Sequence, residues 1–383
     1  MLHDHMDICS QMKRVGERIV LVGAFPPPIH GMAAVNAIVR DALFLAGAKP
    51  LVINLAARNL ERSLAARLGR LPVAVCGILA FVFARRLRGE TLYMSVSGGT
   101  GQVYEAMFVL LGRMRGMRLF LHHHSFAYLD RRNPLTAWLT RIAGGEAVHI
   151  TQSSRMAARL TTLYGVQHAI AVSNAAIFMP DSIPPSAARR HVRTLGFISN
   201  IAEEKGVFEF LDLLAAAKEK GLPLAGKLAG PFQDSATERQ VHRRLETLTN
   251  VEYAGAKYGA EKDVFFDEID VLVFPTLYAN ETEGIVNHEA MSRSLPVIAY
   301  GRGAIPEIVG PDCGKVIDPA RPFVPEALTQ LEDWLADPAA FEAASKRARE
   351  RFAETYAHSL VQWQALLADL SGVAGGISNE EAP

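Results

Sequence analysis

The sequence predicts an α/β protein built from two Rossmann-like βα domains facing a central cleft. Three observations predict it. At 383 residues the chain exceeds what one hydrophobic core ordinarily organises, so two cores are expected. Short apolar strands alternate with helical runs, the pattern of parallel strands joined by crossover helices. That alternation breaks at a proline-bearing stretch, Asn174 to Ala188, and then starts again.

The first half reads in order. Arg18 to Gly23 is a strand, followed by a Pro-rich turn and a helix from Met32 to Ala46. Leu51 to Asn54 and Thr91 to Val96 are the next strands, the second running into Ser97-Gly98-Gly99-Thr100-Gly101. A helical run from Val103 to Met114 leads to a strand at Arg118 to His122, and Val148 to Thr151 is read as the strand that closes this half. In the second half, strands are expected at Arg193 to Ile198, Leu224 to Ala229, Val251 to Tyr253, Val271 to Phe274 and Pro296 to Ala299. An amphipathic helix covers Val207 to Glu219, and Ala327 to Leu370 reads as helix with no strand left to pair. The expected domains are 1–175, 189–340, helices over 341–370 that cross back onto the first domain, and a Gly-rich acidic tail at 371–383 expected to be disordered.

Composition narrows the class. The chain is 49% hydrophobic and 21% charged, as soluble globular proteins are. Met1 to Arg18 lacks the apolar run of a secretory signal, so the expected location is the cytoplasm. Cys9, Cys76 and Cys313 are scattered and odd in number, which argues against a disulfide framework or zinc site. Net charge is zero, yet residues 1–175 hold 20 basic against 9 acidic side chains, about +11, and the rest balances it. Nucleic acid is not an expected partner.

The most informative stretch is Phe274 to Val309. The chain leaves a strand at Phe274, turns, and enters a helix near Gly284. A helix start offers free backbone N–H groups and partial positive charge, a seat for phosphate, and glycine permits close approach. Glu289 lies about a turn and a half further on. A carboxylate there can accept both hydroxyls of a ribose, as acidic residues do in other Rossmann-type sites. Glu281, before the helix, is placed for the sugar end of the same ligand.

Glu281 to Glu289 has the Glu, seven residues, Glu spacing that marks the retaining glycosyltransferases of family 4, and the sequence resembles that family, whose fold is GT-B. The segment from Ser294 to Val309 (Ser-Leu-Pro-Val-Ile-Ala-Tyr-Gly-Arg-Gly-Ala-Ile-Pro-Glu-Ile-Val) also resembles the stretch C-terminal to the motif in that family. The resemblance implies that Glu289 binds the donor ribose and that Glu281 lies beside the donor sugar at the reacting centre. It implies that the amides of Gly284, Ile285 and Val286 hold diphosphate or sugar hydroxyls, and that Lys205 neutralises the diphosphate. The last role is sensible, because the leaving group gains charge as the glycosidic bond breaks. Asn200 stands where many members carry an arginine five residues before that lysine; Arg302 is a candidate substitute.

The same resemblance gives the first domain its roles. The loop Phe25-Pro-Pro-Pro-Ile-His30-Gly31 would lie over the diphosphate near the acceptor, with Gly31 at a helix start. His122-His123-His124 ends a strand. His122 and His124 share a face by the period of two, and His124, nearer the strand's C-terminal end, is the expected contact to the donor sugar. His30, Ser97, Gly98 and His122 are the acceptor-side candidates. Adjacent strand residues alternate faces and do not converge, so the histidine run is not expected to hold a metal.

The expected activity is therefore metal-free transfer of a hexose-type sugar, with retention, from a UDP- or GDP-sugar to a glycan or polyprenyl-linked acceptor in cell-surface polysaccharide synthesis. No cofactor is expected. Leu71 to Ala84 is an uncharged apolar run framed by arginines, too short to span a bilayer but suited to an anionic membrane surface. The alternatives are a nucleotide-sugar 2-epimerase on the same fold and a degenerate, non-catalytic binding subunit. A dehydrogenase is disfavoured, since Gly23-Ala-Phe-Pro-Pro-Pro lacks the Gly-x-Gly-x-x-Gly fingerprint.

Overall fold

The computed structural model describes residues 19–27, 31–56, 71–83, 90–179, 183 and 186–372. The chain divides into two compact units, Met1–Ile177 with Ser359–Pro383, and Phe178–His358. Each is built on one six-stranded parallel sheet.

In the first unit the strands are β1 Ile19–Gly23, β2 Leu51–Asn54, β3 Thr91–Val96, β4 Arg118–His123, β5 Val148–Thr151 and β6 His168–Ala171, in the order β2-β1-β3-β4-β5-β6. β1 and β3 are buried along their whole length, as parallel strands covered on both faces must be. The helices include α1 Gly31–Leu45, α2 Leu71–Phe83, α3 Gln102–Met114, α4 Ala127–Asp130, α5 Pro134–Ala143, α6 Ser154–Tyr164 and α7 Asn174–Phe178. Local chemistry sets several of their starts. Asn133 accepts the amides of Leu135 and Thr136 with proline following it, and Ser153 caps α6 through the amide of Met156. The core runs through Val20, Val22, Leu92, Met94, Phe108, Leu121 and Leu139.

The second unit carries β7 Thr194–Ile198, β8 Ala225–Ala229, β9 Val251–Tyr253, β10 Val271–Phe274, β11 Val297–Tyr300 and β12 Gly314–Ile317, ordered β12-β11-β10-β7-β8-β9. Its helices are α8 Val207–Glu219, α9 Ser235–Leu245, α10 Ala260–Asp267, α11 Ile285–Met291, α12 Ile305–Val309, α13 Phe323–Ala336 and α14 Pro338–Leu370. Leu195, Phe197, Phe210, Leu214, Val273, Ile298 and Leu331 are among its core. α14 is one continuous helix of 33 residues, and its end from Ser359 groups with the first unit.

Two strands were not expected from sequence, and they correct the reading that Val148 to Thr151 closes the first half. β6 pairs with β5, and β12 pairs with β11. Both are edge strands of four residues, and their composition (His-Ala-Ile-Ala and Gly-Lys-Val-Ile) lacks the continuous apolar signal of a central strand. Within the Asn174 to Ala188 stretch where the alternation breaks, Asn174–Phe178 is a short helix; residues 180–182, 184 and 185 lie outside the described ones. No described helix is long and apolar enough to cross a membrane.

Candidate donor site and the loop ends of the first sheet

In the second sheet β7 and β10 are neighbours whose onward connections run in opposite directions, toward β8 and toward β11. Such a reversal opens a crevice at the strands' C-terminal ends, where doubly wound sheets bind ligands. Both motif segments start there: 199–206 after β7, and 275–284 after β10.

The two segments are tied to each other. Leu277 N–H donates to the Glu204 carbonyl at 3.0 Å. Gly206 sits at φ 86°, and a Cβ there would lie 2.2 Å from the Pro275 carbonyl oxygen, so the Lys-Gly pair needs its glycine for packing as well as conformation. Lys205 ends a short 3₁₀ turn, Glu203–Lys205. Its ammonium lies 2.6 Å from Glu281 Oε2, with 15% and 11% of the two side chains exposed, and 4.4 Å from the centre of the Tyr278 ring. Lys205 and Glu281, expected on the diphosphate and sugar ends of one ligand, thus stand in direct contact.

Gly284 precedes α11 at φ 62°, and an added Cβ would meet Phe274 Cε1 at 2.5 Å. Ile285 and Val286 follow in the first turn, whose amides have no earlier helical carbonyl to pair with. Further along α11, both carboxylate oxygens of Glu289 accept from Lys262 Nζ at 2.6 Å. Arg293 joins the same pair of helices, contacting Asp263 on α10 and donating to the Glu289 carbonyl at 3.1 Å. Asn200 is exposed on the turn after β7. Arg302 does not stand in for the missing arginine: its guanidinium donates to the carbonyls of Tyr278, at 3.1 Å, and of Ala279, which commits it to holding the loop before Glu281.

Three residues of this site carry no sequence signal of their own. Lys262 belongs to no motif and reaches Glu289 only through the packing of α10 beside α11. Tyr278 lies in the loop before Glu281 and belongs to no motif. The role of Gly303, after β11, likewise shows only in the structure: at φ 61° its Cβ would be 2.3 Å from the Thr282 carbonyl oxygen, and Ala304 N–H donates to that oxygen at 2.7 Å. The Gly-Arg-Gly after β11 is what clamps the backbone around Glu281.

The first unit places its candidates at its own reversal, between β1 and β3. Asn36 on α1 donates to the Ala24 carbonyl at 2.9 Å and to Ser95 Oγ at 3.0 Å, joining the two strand ends. Gly31 begins α1; among the described residues a Cβ there meets nothing within 4 Å. His30 lies outside the described residues. Ser97 and Gly98 form the loop after β3, held by Glu105 in the first turn of α3, whose two oxygens accept the Ser97 N–H at 3.2 and 3.1 Å. Burial raises the Glu105 carboxyl to about 7, against the lowering effect of the Ser97 bonds.

His122 and His124 do share a face, with ring centres 4.2 Å apart. His122, however, is fully buried, its ring between Tyr93 Oη at 2.6 Å and Gln152 Nε2 at 3.1 Å. This corrects its place among the acceptor-side candidates: a central strand is covered on both faces, so a shared face is not an exposed one. His124 is half-buried just past the strand end. His123 points the other way into a second buried chain, 2.8 Å from Tyr128 Oη and 2.9 Å from His149 Nδ1. Burial lowers the basicity of His122 and His123 well below the usual histidine range, and lowers His149 to about 4. Among the described residues no group of three His, Cys, Asp or Glu is arranged to hold a metal ion.

Over 153 residues the chain is 33% identical to the sulfoquinovosyl transferase SQD2 of Arabidopsis thaliana, covering 38% of this chain and 28% of that protein. Over 199 residues it is 28% identical to the MMP alpha-(1->4)-mannosyltransferase of Mycolicibacterium hassiacum, covering 49% and 44%. The chain thus spans less than half the length of these curated relatives. Among solved structures, HepE of Anabaena in complex with UDP superposes with a TM-score of 0.67 at 15% identity, covering 93% of this chain and all of that one. The sucrose-phosphate synthase of Thermosynechococcus elongatus superposes with a TM-score of 0.70 at 16% identity, covering 94% of this chain and 100% of the other. The fold of the two units is GT-B-like. The model of the family described as glycosyl transferases group 1 matches residues 180–351, the stretch that holds Lys205, Glu281, Gly284 and Glu289. That match covers a little under half of the chain, and over residues 180–351 the sequence is similar to the glycosyl transferases group 1 family.

Proposed function

We propose that the chain is a retaining glycosyltransferase that moves a hexose-type sugar from a UDP- or GDP-sugar to a glycan or polyprenyl-linked acceptor, in cell-surface polysaccharide synthesis at the cytoplasmic face of a membrane. The observation that carries the reading is the contact of Lys205 with Glu281 at the β7/β10 reversal, beside the helix start at Gly284. A lysine fixed there can leave the carboxylate for a diphosphate. The freed Glu281 then faces the donor sugar, while the first-turn amides of α11 take phosphate or sugar oxygens. Glu289 binds the ribose by exchanging its Lys262 contact for two hydroxyls. Support from relatives is of the same kind: HepE structures contain UDP, UDP with glucose, and UDP-glucose.

In this scheme neither a metal ion nor a cofactor is required; the charge that builds on the leaving diphosphate is met by Lys205 and backbone amides. The acceptor hydroxyl attacks on the face the leaving group departs from, and a donor phosphate oxygen takes its proton. The test is a transfer assay with a panel of labelled UDP- and GDP-sugars and membrane-extracted saccharide acceptors. Label should move only when donor and acceptor are both present. Interconversion of the donor sugar without acceptor would replace this reading with epimerisation, and inertness toward every donor and acceptor would remove it.

A further inference from the structure

Between Glu281 and Glu289 the chain buries another acid. Glu283 Oε1 lies 3.5 Å from His288 Nε2, and both side chains are 1% exposed. Asn287, also fully buried, donates from Nδ2 to the Glu283 carbonyl at 2.8 Å. The Phe352 ring, on α14, meets His288 edge to face with centres 6.4 Å apart. All four residues belong to the second unit. The Glu283–His288 contact bridges a weak point. Gly284 lies between the two residues at φ 62°, where the chain passes from the loop into α11. Glycine allows that turn and also leaves it easy to change. α11 itself has seven residues, about two turns, and a helix so short takes its orientation from tertiary contacts. Glu289 is held by Lys262 on α10. His288, its neighbour in sequence, points ~100° around the helix from it, to the side of Glu283 and Phe352. Glu283 in turn stands two positions after Glu281.

We propose that Glu283 and His288 are positioning residues: their buried contact locks the Glu281 loop to α11 and thereby fixes where the Glu289 carboxylate points. Stability alone gives little reason for the pair. Burying an acid beside a histidine costs desolvation that offsets their attraction, and apolar side chains of similar volume would hold the same space as well or better. A directed contact across a glycine supplies what apolar packing does not, a single register between the two segments. A further tie of the loop leads elsewhere: Ala304 N–H donates to the Thr282 carbonyl, which fixes the loop to the segment after β11 and not to α11. The inference deepens the donor-site reading above and rests on it.

The full chain is compared with the paired variant Glu283→Leu/His288→Leu, which removes the polar contact and keeps an apolar filling, and with His288→Gln, which keeps a donor toward Glu283. Each is made with Glu289 intact and with Glu289→Ala, then melted and titrated calorimetrically with UDP and with GDP. The paired variant is expected to melt as the parent does and to bind its nucleotide about tenfold more weakly, while His288→Gln stays within about threefold of the parent. In the Glu289→Ala background the paired variant should change affinity by less than about twofold, because its effect passes through that carboxylate. Parent affinity in the folded paired variant overturns the proposal. So does an equal loss with and without Glu289, which would mark a general disturbance of the fold. If the paired variant does not fold, His288→Gln decides, and an affinity as low as that of Glu289→Ala overturns the proposal. A parent that binds neither nucleotide strikes the donor-site reading, and amide exchange over residues 282–288 then decides the positioning role. Exchange about tenfold faster in the paired variant supports that role, and equal exchange overturns it.

Discussion

Lys205 Nζ and Glu281 Oε2 lie 2.6 Å apart across the point where the second sheet reverses its winding, although 76 positions separate them in the chain. Both side chains are mostly buried, so neither can lose its partner without consequence. Replacing Lys205 by Met leaves a buried carboxylate with less compensation and removes the cation expected on the diphosphate. We predict a loss of about 1–3 kcal/mol in unfolding free energy and a rate of sugar transfer lower by about a hundredfold or more. Glu281→Gln should spare nucleotide affinity and lower the transfer rate. Equal loss of nucleotide affinity in both variants, read by calorimetry, would contradict the division of roles.

Gly31 separates structure from ligand. Nothing described lies within 4 Å of a Cβ at this position, so Gly31→Ala should melt like the parent. If Gly31 belongs to the donor site, as the family resemblance implies, the same variant should transfer sugar about tenfold more slowly, because a methyl group blocks close approach of the backbone. Unaltered transfer would remove Gly31 from the donor site.

Ser294 is the one non-glycine with positive φ among the described residues, at 59°. It holds that conformation in the turn before β11, donating from Oγ to the Ser186 carbonyl at 3.2 Å and accepting from Ser345 at its own carbonyl. Ser294→Ala keeps the strain and loses the hydroxyl bond, whereas Ser294→Gly loses the bond and relieves the strain. The glycine variant should therefore be more stable than the alanine variant by about 1 kcal/mol in denaturant titration. The reverse order would show that the turn is unstrained.

Two buried groups give stability opposite slopes with pH. Glu105 is raised by burial from 4.5 to about 7, so the folded state keeps a proton that the unfolded state has released. Its contribution grows unfavourable as pH rises from 4.5 to 7, by about 3 kcal/mol. His149 is lowered by burial from 6.5 to about 4. Its contribution is fully present above pH 6.5 and is lost as pH falls toward 4, by a similar amount. Glu105→Gln should gain on the parent as pH rises through its window, and His149→Asn should gain as pH falls through the other. Parallel stability curves for parent and variants would refute both assignments.

Much of this was legible in the sequence, for identifiable reasons. The inner strands β1 and β10 announce themselves as uninterrupted apolar runs, and the helix Val207–Glu219 has the bounds its periodicity gives. The edge strands β6 and β12 do not, since a four-residue strand with one open edge has little reason to be apolar. Within the candidate site, Lys205 was singled out by the family resemblance, and Glu281 and Glu289 by their spacing around the glycine at a helix start; the structure puts Lys205 against Glu281. Lys262 was not, because it sits mid-helix on α10 and its meaning comes only from the packing of that helix beside α11. His122 misled for the complementary reason: period-two alternation tells which face a strand residue takes, not whether a helix covers that face.

The central claim is that the second unit binds a nucleotide diphosphate through Glu289 and Lys205, and calorimetric titration of the parent and of Glu289→Ala with UDP and GDP tests it most directly. The account predicts that one of the two nucleotides binds the parent, and that the variant binds it about tenfold or more weakly while folding normally. A parent that binds neither nucleotide, or a Glu289→Ala protein with the parent's affinity, would contradict it.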